Sequence, residues 1–292
     1  MIRYVLSVGG ARGSFQAGAL WYLHNHGFEG GHYYGHSVGA LNGVMCAMRA
    51  HNALYHTWES IEDSTVYRHR FSAARAAWAA LRNRAMLDTD PLYNLIKDEL
   101  ADRSLFSTFT TGFVDLSTGK LKRKTYTFGA DELQLALDVY ASAAIPFAFP
   151  LVNNEADGGL IEPIPLSPAI QDAGEDDIFV IISCHPLNGL DPVAGFKSPI
   201  STLPRTLDIM QHTLLKNSVE PFLLINRLAE NGPLTDPETG RTYRKFKCVT
   251  IAPDRPLPWG MVDFSASKAG LRMGIEAAQS VIDQLHALTS GA

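Results

Sequence analysis

A serine at the apex of a glycine-bounded turn is the residue in this sequence best placed to act as a nucleophile. Ser37 lies in Gly35-His36-Ser37-Val38-Gly39, between a short aromatic run at 32–34 and a helix-like run at 40–49. Glycines on both sides permit a tight strand–turn–helix that leaves the hydroxyl in the open. The N-terminal amides of the following helix would then face an oxyanion formed at this serine. The pattern also fits a glycine-rich loop whose serine caps the next helix.

Two further segments supply the other groups that an acyl transfer needs. The first, Gly9-Gly10-Ala11-Arg12-Gly13, directly follows the first predicted strand. Glycines there leave backbone amides free to point into a cavity and stabilise an oxyanion. A nucleotide phosphate loop is the rival interpretation, but the spacing of its motifs is incomplete. The second segment, Asp157-Gly158-Gly159, can hold a carboxylate in a tight turn at a strand end, although alone it also fits an ordinary Asx turn.

Together these segments resemble the patatin-like phospholipase family. The family combines a G-G-G-x-R-G loop, a G-x-S-x-G elbow and a D-G-[GA] motif, here in 8–13, 35–39 and 157–159. The stretch 141–150 is similar to the family's A-S-x-A-x-P-x-x-F-x-P. The resemblance covers residues 4 to about 167 and implies a patatin-like three-layer α/β/α fold with a mainly parallel central sheet.

The resemblance also implies a serine–aspartate dyad without histidine, metal or cofactor. Ser37 would be the nucleophile, and Asp157 would take its proton. Oxyanion amides would come from Gly9 and Gly10, with Ala11 and Gly13 as further candidates. Arg12 would steady the loop or meet a phosphate.

Two positions depart from the family pattern. Val8 replaces the first glycine of the loop, which leaves the amides of Gly9 and Gly10 available but the loop less free to move. Glu162 stands where many relatives have asparagine, which removes the expected hydrogen bond behind the site. A carboxylate near Asp157 would raise the pKa of Asp157, and this would make it a better general base.

The elements predicted around these motifs form one α/β domain over 1–292. A β-α-β-α opening favours a parallel sheet, with the serine and aspartate at the carboxyl ends of its strands near a switch point. Residues 178–292 are expected to complete the sheet and outer helices. The predicted strands are 4–8, 110–116, 121–128, 178–183 and 246–251; the predicted helices are 15–26, 38–48, 132–141, 203–230 (kinked or split at Pro221) and 267–288, with 53–100 almost wholly helical and 145–150 not helical.

Composition and charge narrow the class of protein. With 46% hydrophobic residues and a formal net charge of -5, the chain suits a globular enzyme and not a nucleic-acid binder. Cys46, Cys184 and Cys248 are odd in number and widely spaced, which favours small buried residues over a disulfide or zinc framework. The sequence has no signal peptide and no apolar run of about 18 residues, so a cytoplasmic location is expected.

The leading functional hypothesis is a lipid acyl hydrolase acting on phospholipids or lysophospholipids. Transient membrane contact is one interpretation of the arginine-rich segment 66–86 and of the basic cluster 120–124, although a surface helix and a solvated turn are the alternatives. A set of aromatic and apolar residues is expected either to hold the acyl chain or to form part of the core. They are Phe71, Trp78, Phe147, Phe149 and Leu151.

Three alternatives stay open at this point. The substrate could be a non-phospholipid ester, with hydrolysis or acyl transfer as the outcome. The chain could be a non-catalytic binding module built on the same fold. A histidine-dependent triad could replace the dyad, with His185 or His286 as the base because both lie late in the chain. His36, inside the elbow, is expected to shape the pocket and not to act as a base.

Overall fold

A single mostly parallel sheet organises the computed structural model, which describes residues 1–68, 85–190, 192 and 199–290. Its strands, in chain order, are β1 (Ile2–Leu6), β2 (His32–Gly35), β3 (Thr108–Asp115), β4 (Lys120–Tyr126), β5 (Glu155–Asp157), β6 (Ile178–Ile182) and β9 (Lys247–Ile251). The spatial order is β4-β3-β2-β1-β6-β9, and β5 pairs with β3. β4 and β5 run antiparallel to β3, whereas the other pairs are parallel. A short hairpin of β7 (Leu234–Thr235) and β8 (Thr242–Tyr243) lies outside this sheet.

Helices cover both faces of the sheet. They are α1 (Gly13–Asn25), α2 (Val38–Ala47), α3 (His51–Ser60), α4 (Asp63–Val66), α5 (Asp90–Leu100), α6 (Glu132–Ser142), α7 (Leu166–Gln171), α8 (Pro199–Leu228), α9 (Ser267–Gln279) and α10 (Ile282–Thr289). These layers confirm the predicted α/β class with a mainly parallel central sheet.

The central strands are buried on both faces, and β6 is for this reason apolar throughout. Alternate side chains of β1 therefore enter two separate cores. Tyr4 and Leu6 pack in the larger core with α1 and α9, while Val5 packs in the smaller core with α7 and α8. This alternation follows from the two-residue period of a strand.

The strand order reverses at β1, because β2 lies on one side of it and β6 on the other. Such a switch point opens a crevice at the carboxyl ends of the strands, where ligands bind in open α/β sheets. The glycine-rich loop follows β1 and the serine elbow follows β2, so the topology brings both to this crevice.

Three of the predicted helical regions have other bounds or another continuity in the structure than the sequence predicts. The region 53–100 is not one helical run: α3 and α4 are separate, and residues 85–89 are not helical before α5 begins at Asp90, with Pro91 in its first turn. Residues 69–84, with Phe71 and Trp78, lie outside the described residues. α8 continues through Pro221, because packing of its apolar face on the sheet offsets one lost backbone hydrogen bond. The closing helix is two helices, α9 and α10, which break where the Ser280 hydroxyl turns back to the Ala277 carbonyl.

The basic cluster lies on β4, at the edge of the sheet, beyond the turn in which it was expected. Its charges are paired: Lys122 with Asp115, and Lys124 with Asp138. Charged side chains on an edge strand also discourage pairing with other chains.

Cys46 and Cys184 are buried free thiols, whereas Cys248 is only partly buried. Within the described ranges, no helix is long and apolar enough to cross a membrane.

Candidate active site

The serine elbow has the geometry that its glycines predict. Ser37 adopts φ 55° and ψ -131°, a backbone conformation that non-glycine residues rarely occupy. The turn is tight enough that a Cβ at position 35 would lie 2.1 Å from the Gly39 carbonyl oxygen, and a Cβ at position 39 would lie 2.7 Å from that of Leu6. Only glycine fits at either position, and the turn therefore places Ser37 at the start of α2.

A second serine, which the sequence analysis did not single out, holds this elbow in place. The Ser37 amide donates to both the backbone carbonyl and the side-chain oxygen of Ser142, at 3.0 and 3.1 Å. The Ser142 hydroxyl in turn donates to the Gly112 carbonyl on β3 at 2.7 Å. A fully bonded buried hydroxyl of this kind fixes the elbow relative to the sheet.

The predicted base is fixed by the same segment. The Asp157 amide donates to the Ala144 carbonyl at 2.9 Å, two residues beyond Ser142. The Asp157 carboxyl is 3% exposed, and its Oδ1 accepts a hydrogen bond from the Gly159 amide at 2.7 Å. The structure thus brings Asp157 and Ser37 together from distant parts of the sequence.

Burial raises the pKa of the Asp157 carboxyl to about 6, although the Ser37 hydroxyl, the Gly159 amide and the charge of His36 each lower it. Its second oxygen, Oδ2, makes no full hydrogen bond within the described part of the chain. Catalytic hydrogen bonds are often loose before substrate binds. A carboxylate with one unsatisfied oxygen beside a serine hydroxyl is suited to accept a proton.

The amides that can face an oxyanion are fewer than the motif suggests. The Ala11 amide donates to the Met261 carbonyl, and the Gly13 amide is used inside the turn that starts α1. Among the described residues, the amides of Gly9, Gly10 and Val38 have no acceptor. Val38 follows the nucleophile, at the positive end of the α2 dipole, where a donor to the oxyanion is expected.

Gly10 has a conformation that other residues avoid. Its φ is +57°, and a Cβ there would lie 2.2 Å from the Met261 carbonyl oxygen. Together with Ser37 and Val38, Gly10 lines one cavity. A free amide and the Ser37 hydroxyl therefore share this opening.

Arg12 is turned away from that cavity. Its guanidinium forms a two-pronged ion pair with Asp208 on α8, at 2.6 and 3.2 Å, and donates to the Trp259 carbonyl. Of the two roles predicted for Arg12, these contacts favour steadying the loop. Val8, the departure at the loop entrance, packs against the aspartate turn: a Cβ at Gly159 would lie 2.5 Å from its Cγ1.

The predicted effect of Glu162 on Asp157 is wrong. Its carboxylate lies 3.1 Å from the His36 Nε2 and accepts two hydrogen bonds from Arg123. The Arg123 guanidinium balances the charge of Glu162, and burial is the cause that raises the pKa of Asp157.

An apolar cavity of about 90 Å³ opens at Ser37. Its walls come from α2, α3, α5 and the proline-bounded segment after α6, and they include Leu41, Met45, Leu54, Ile96, Ile145 and Phe149. From Val38 to Met45 the cavity follows α2 for two turns, about 10 Å. Of the residues predicted to hold an acyl chain, Phe149 lines this cavity, whereas Phe147 is 72% exposed and Leu151 is also exposed.

The two histidines proposed for a triad lie elsewhere. His185 is buried beside Arg12 and Asp208, and burial lowers its pKa to about 3. His286 lies on α10 and packs on Phe28. Neither lines the cavity at Ser37.

Comparison with known proteins identifies the family of this chain. The family model for patatin-like phospholipase matches residues 4–170, more than half of the chain. The chain therefore belongs to the patatin-like phospholipase family. No curated protein matches the sequence.

Among solved structures, the crystal structure of VipD from Legionella pneumophila is similar, with a TM-score of 0.47 and 13% identity. The match covers 96% of this chain and 66% of the VipD chain, so the present sequence spans just under two thirds of that protein.

Proposed function

We propose that this chain is a serine lipid acyl hydrolase, which cleaves carboxylic ester bonds of phospholipids or lysophospholipids through an acyl-Ser37 intermediate. One observation carries the proposal: the apolar cavity opens at the serine elbow beside a buried carboxyl. An apolar cavity lined by few polar groups is suited to a hydrocarbon chain whose ester lies beside Ser37. Family membership supports lipid acyl hydrolysis as the class of reaction.

In the acylation step, the Ser37 Oγ forms a bond to the ester carbonyl carbon as its proton passes to Asp157. The carbonyl oxygen becomes an oxyanion, which the free amides of Gly9, Gly10 and Val38 stabilise. The bond to the alcohol then breaks, and the alcohol leaves with the proton that Asp157 held.

In the deacylation step, Asp157 removes a proton from water, and the resulting hydroxide attacks the acyl-serine. The fatty acid leaves, and the proton returns to Ser37. A carboxylate is a weak base for a hydroxyl group, and its burial helps because the raised pKa of Asp157 strengthens it.

The test is acyl release from mixed phospholipid vesicles, with products identified by mass spectrometry. We expect fatty acid from the wild-type protein and none above background from Ser37→Ala or Asp157→Asn. The matched control is Asp138→Asn, which alters another buried aspartate, on α6 and outside the cavity. It should keep its activity.

Three outcomes would change the proposal. Activity on short soluble esters with none on vesicles or lysophospholipids would support an esterase or acyltransferase of other esters. Full activity of Asp157→Asn would show that another residue is the base. If a fluorophosphonate fails to label Ser37 in the folded protein, the chain is a binding module and not a serine hydrolase.

A further inference from the structure

The side chain of His36 lies directly behind the candidate site and has an acceptor at each ring nitrogen. Nδ1 is 3.0 Å from the Gly35 carbonyl oxygen, and Nε2 is 3.1 Å from the Glu162 Oε2. A carbonyl and a carboxylate can only accept hydrogen bonds, so both nitrogens must donate. A histidine that donates from both nitrogens is an imidazolium.

The Glu162 carboxyl group is held as a carboxylate, which can accept a hydrogen bond from the His36 imidazolium but cannot donate one. Its Oε2 accepts hydrogen bonds from the Arg123 Nε and Nη2, at 3.1 and 2.9 Å. An arginine bound in this way keeps the carboxylate ionised. The ion pair of His36 and Glu162 is largely dry, because the His36 side chain is fully buried and that of Glu162 is 11% exposed.

His36 is also packed against the aspartate turn. Cβ atoms built at Gly158 and Gly112 would lie 2.9 and 2.8 Å from its ring atoms. Gly158 directly follows Asp157, so the His36 ring lies close to the Asp157 carboxyl, and a positive charge on that ring would lower the pKa of Asp157.

The charged groups around His36 come from three elements. Asp157 ends β5, Glu162 follows the turn after β5, and Arg123 lies on β4. The lysines on either side of Arg123 are bonded elsewhere: Lys122 to Asp115 and Glu155, and Lys124 to Asp138. In space, the four groups therefore follow one another in the order Arg123, Glu162, His36 and Asp157, and their charges alternate when His36 is an imidazolium.

We propose that His36, held as an imidazolium by Gly35 and Glu162, is a positioning residue that keeps Asp157 ionised and ready to accept the proton of Ser37. This inference rests on the proposed function, since it assigns Asp157 as the base. Burial disfavours the charged carboxylate, and a buried cation beside it opposes that effect. Glu162 acts through His36 and not on Asp157 directly.

The first test reads the state of His36 without any substrate. In ¹⁵N-labelled protein at pH 7.5, the ring nitrogen chemical shifts distinguish an imidazolium from either neutral tautomer, and His36→Gln assigns the signals. We expect an imidazolium in the wild-type protein and a neutral ring in Glu162→Gln. A neutral ring in the wild-type protein overturns the inference, whether or not the chain is a hydrolase.

The second test follows the rate at which a fluorophosphonate labels Ser37 between pH 4.5 and 8. In the wild-type protein, labelling should fall at acid pH as Asp157 gains a proton. In His36→Gln and Glu162→Gln this fall should move up by about one pH unit, so that labelling at pH 5.5 is several-fold slower than wild type while labelling at pH 8 is little changed. Lys124→Gln, on the same strand as Arg123, removes a positive charge without touching this group and should leave the profile unchanged.

The outcomes separate the two proposals. If wild-type Ser37 is not labelled at any pH, the proposed function fails, while the nuclear magnetic resonance experiment still decides the state of His36. If wild-type Ser37 is labelled and neither variant moves the acid limb, the proposed function stands and the role of His36 is refuted. Circular dichroism confirms that each variant is folded, and Glu162→Gln provides the test if His36→Gln does not fold.

Discussion

Replacing Asp157 by asparagine removes the charge of a carboxyl group that is 3% exposed beside Ser37. The asparagine oxygen can still accept the hydrogen bond from the Gly159 amide, since Oδ1 is the atom that accepts it. The neutral amide group takes the place of Oδ2, which has no full hydrogen bond to lose within the described residues. We therefore expect this variant to lose its activity and yet to be more stable than the wild-type protein at neutral pH.

The size of the gain follows from the pKa of Asp157, which burial raises from 3.8 to about 6. Between these two values the folded protein binds more protons than the unfolded chain, so the free energy of unfolding falls as the pH rises. Each unit of pKa shift is worth about 1.4 kcal/mol. The wild-type protein should thus be about 3 kcal/mol less stable than Asp157→Asn at pH 7.5, but only about 1 kcal/mol less stable at pH 4.5.

Urea unfolding of both proteins at pH 4.5, 6.0 and 7.5 measures this difference. The control is Asp138→Asn, because the carboxylate of Asp138 accepts hydrogen bonds from Lys124 and Gln134. Removing that charge should lower stability at pH 7.5. The same samples give the pH dependence of kcat/KM for the wild-type protein, which should fall about tenfold per pH unit below about pH 6.

A stability difference between wild type and Asp157→Asn that does not grow with pH would refute the reasoning. It would mean that the carboxyl group is solvated or paired in the folded protein and does not titrate near pH 6. A loss of stability in Asp157→Asn at pH 7.5 would lead to the same conclusion.

Three other substitutions test the surroundings of the site. Phe147→Asn removes an exposed aromatic ring beside the cavity wall and should lower activity on vesicles several-fold while activity on soluble esters is unchanged. Phe128→Asn is the control, because Phe128 is 78% exposed just beyond β4, at the end of the sheet opposite the carboxyl ends of the parallel strands. Met45→Phe narrows the cavity two turns from the serine, so kcat/KM should fall more for long than for short acyl esters, and an equal fall for both would contradict the assignment of this cavity. Gly159→Ala should destabilise the protein by about 1–3 kcal/mol because the new methyl group meets Val8, and Val8→Ala in the same chain should recover part of that loss in urea unfolding.

The local parts of this fold could be predicted because neighbouring residues decide them. The elbow needs glycine at 35 and 39 for reasons of close approach, and those reasons are visible in the spacing. The buried strand at 178–182 shows itself as a continuous apolar run. The break in the last predicted helix could not be predicted, because a single hydroxyl bonding back at Ser280 leaves no periodic signal.

The long-range contacts of the site could not be predicted from one sequence. The partner of Arg12 is Asp208, far along the chain, and neither residue type indicates the other. The same holds for Glu162, which was expected to act on Asp157 and instead binds His36. The walls of the cavity come from α3 and α5, whose periodicity indicates only that one face is buried.

The segment after α6 has a consequence for how this protein can change. Ser142 and Ala144 fix the backbone of Ser37 and of Asp157, and Ala143, Ile145 and Phe149 of the same segment form part of the cavity wall. A substitution that reshapes the cavity from this side also displaces the reacting groups. New acyl-chain preferences should therefore evolve, or be engineered, through α3 and α5, where the wall can vary while the chemistry stays in place.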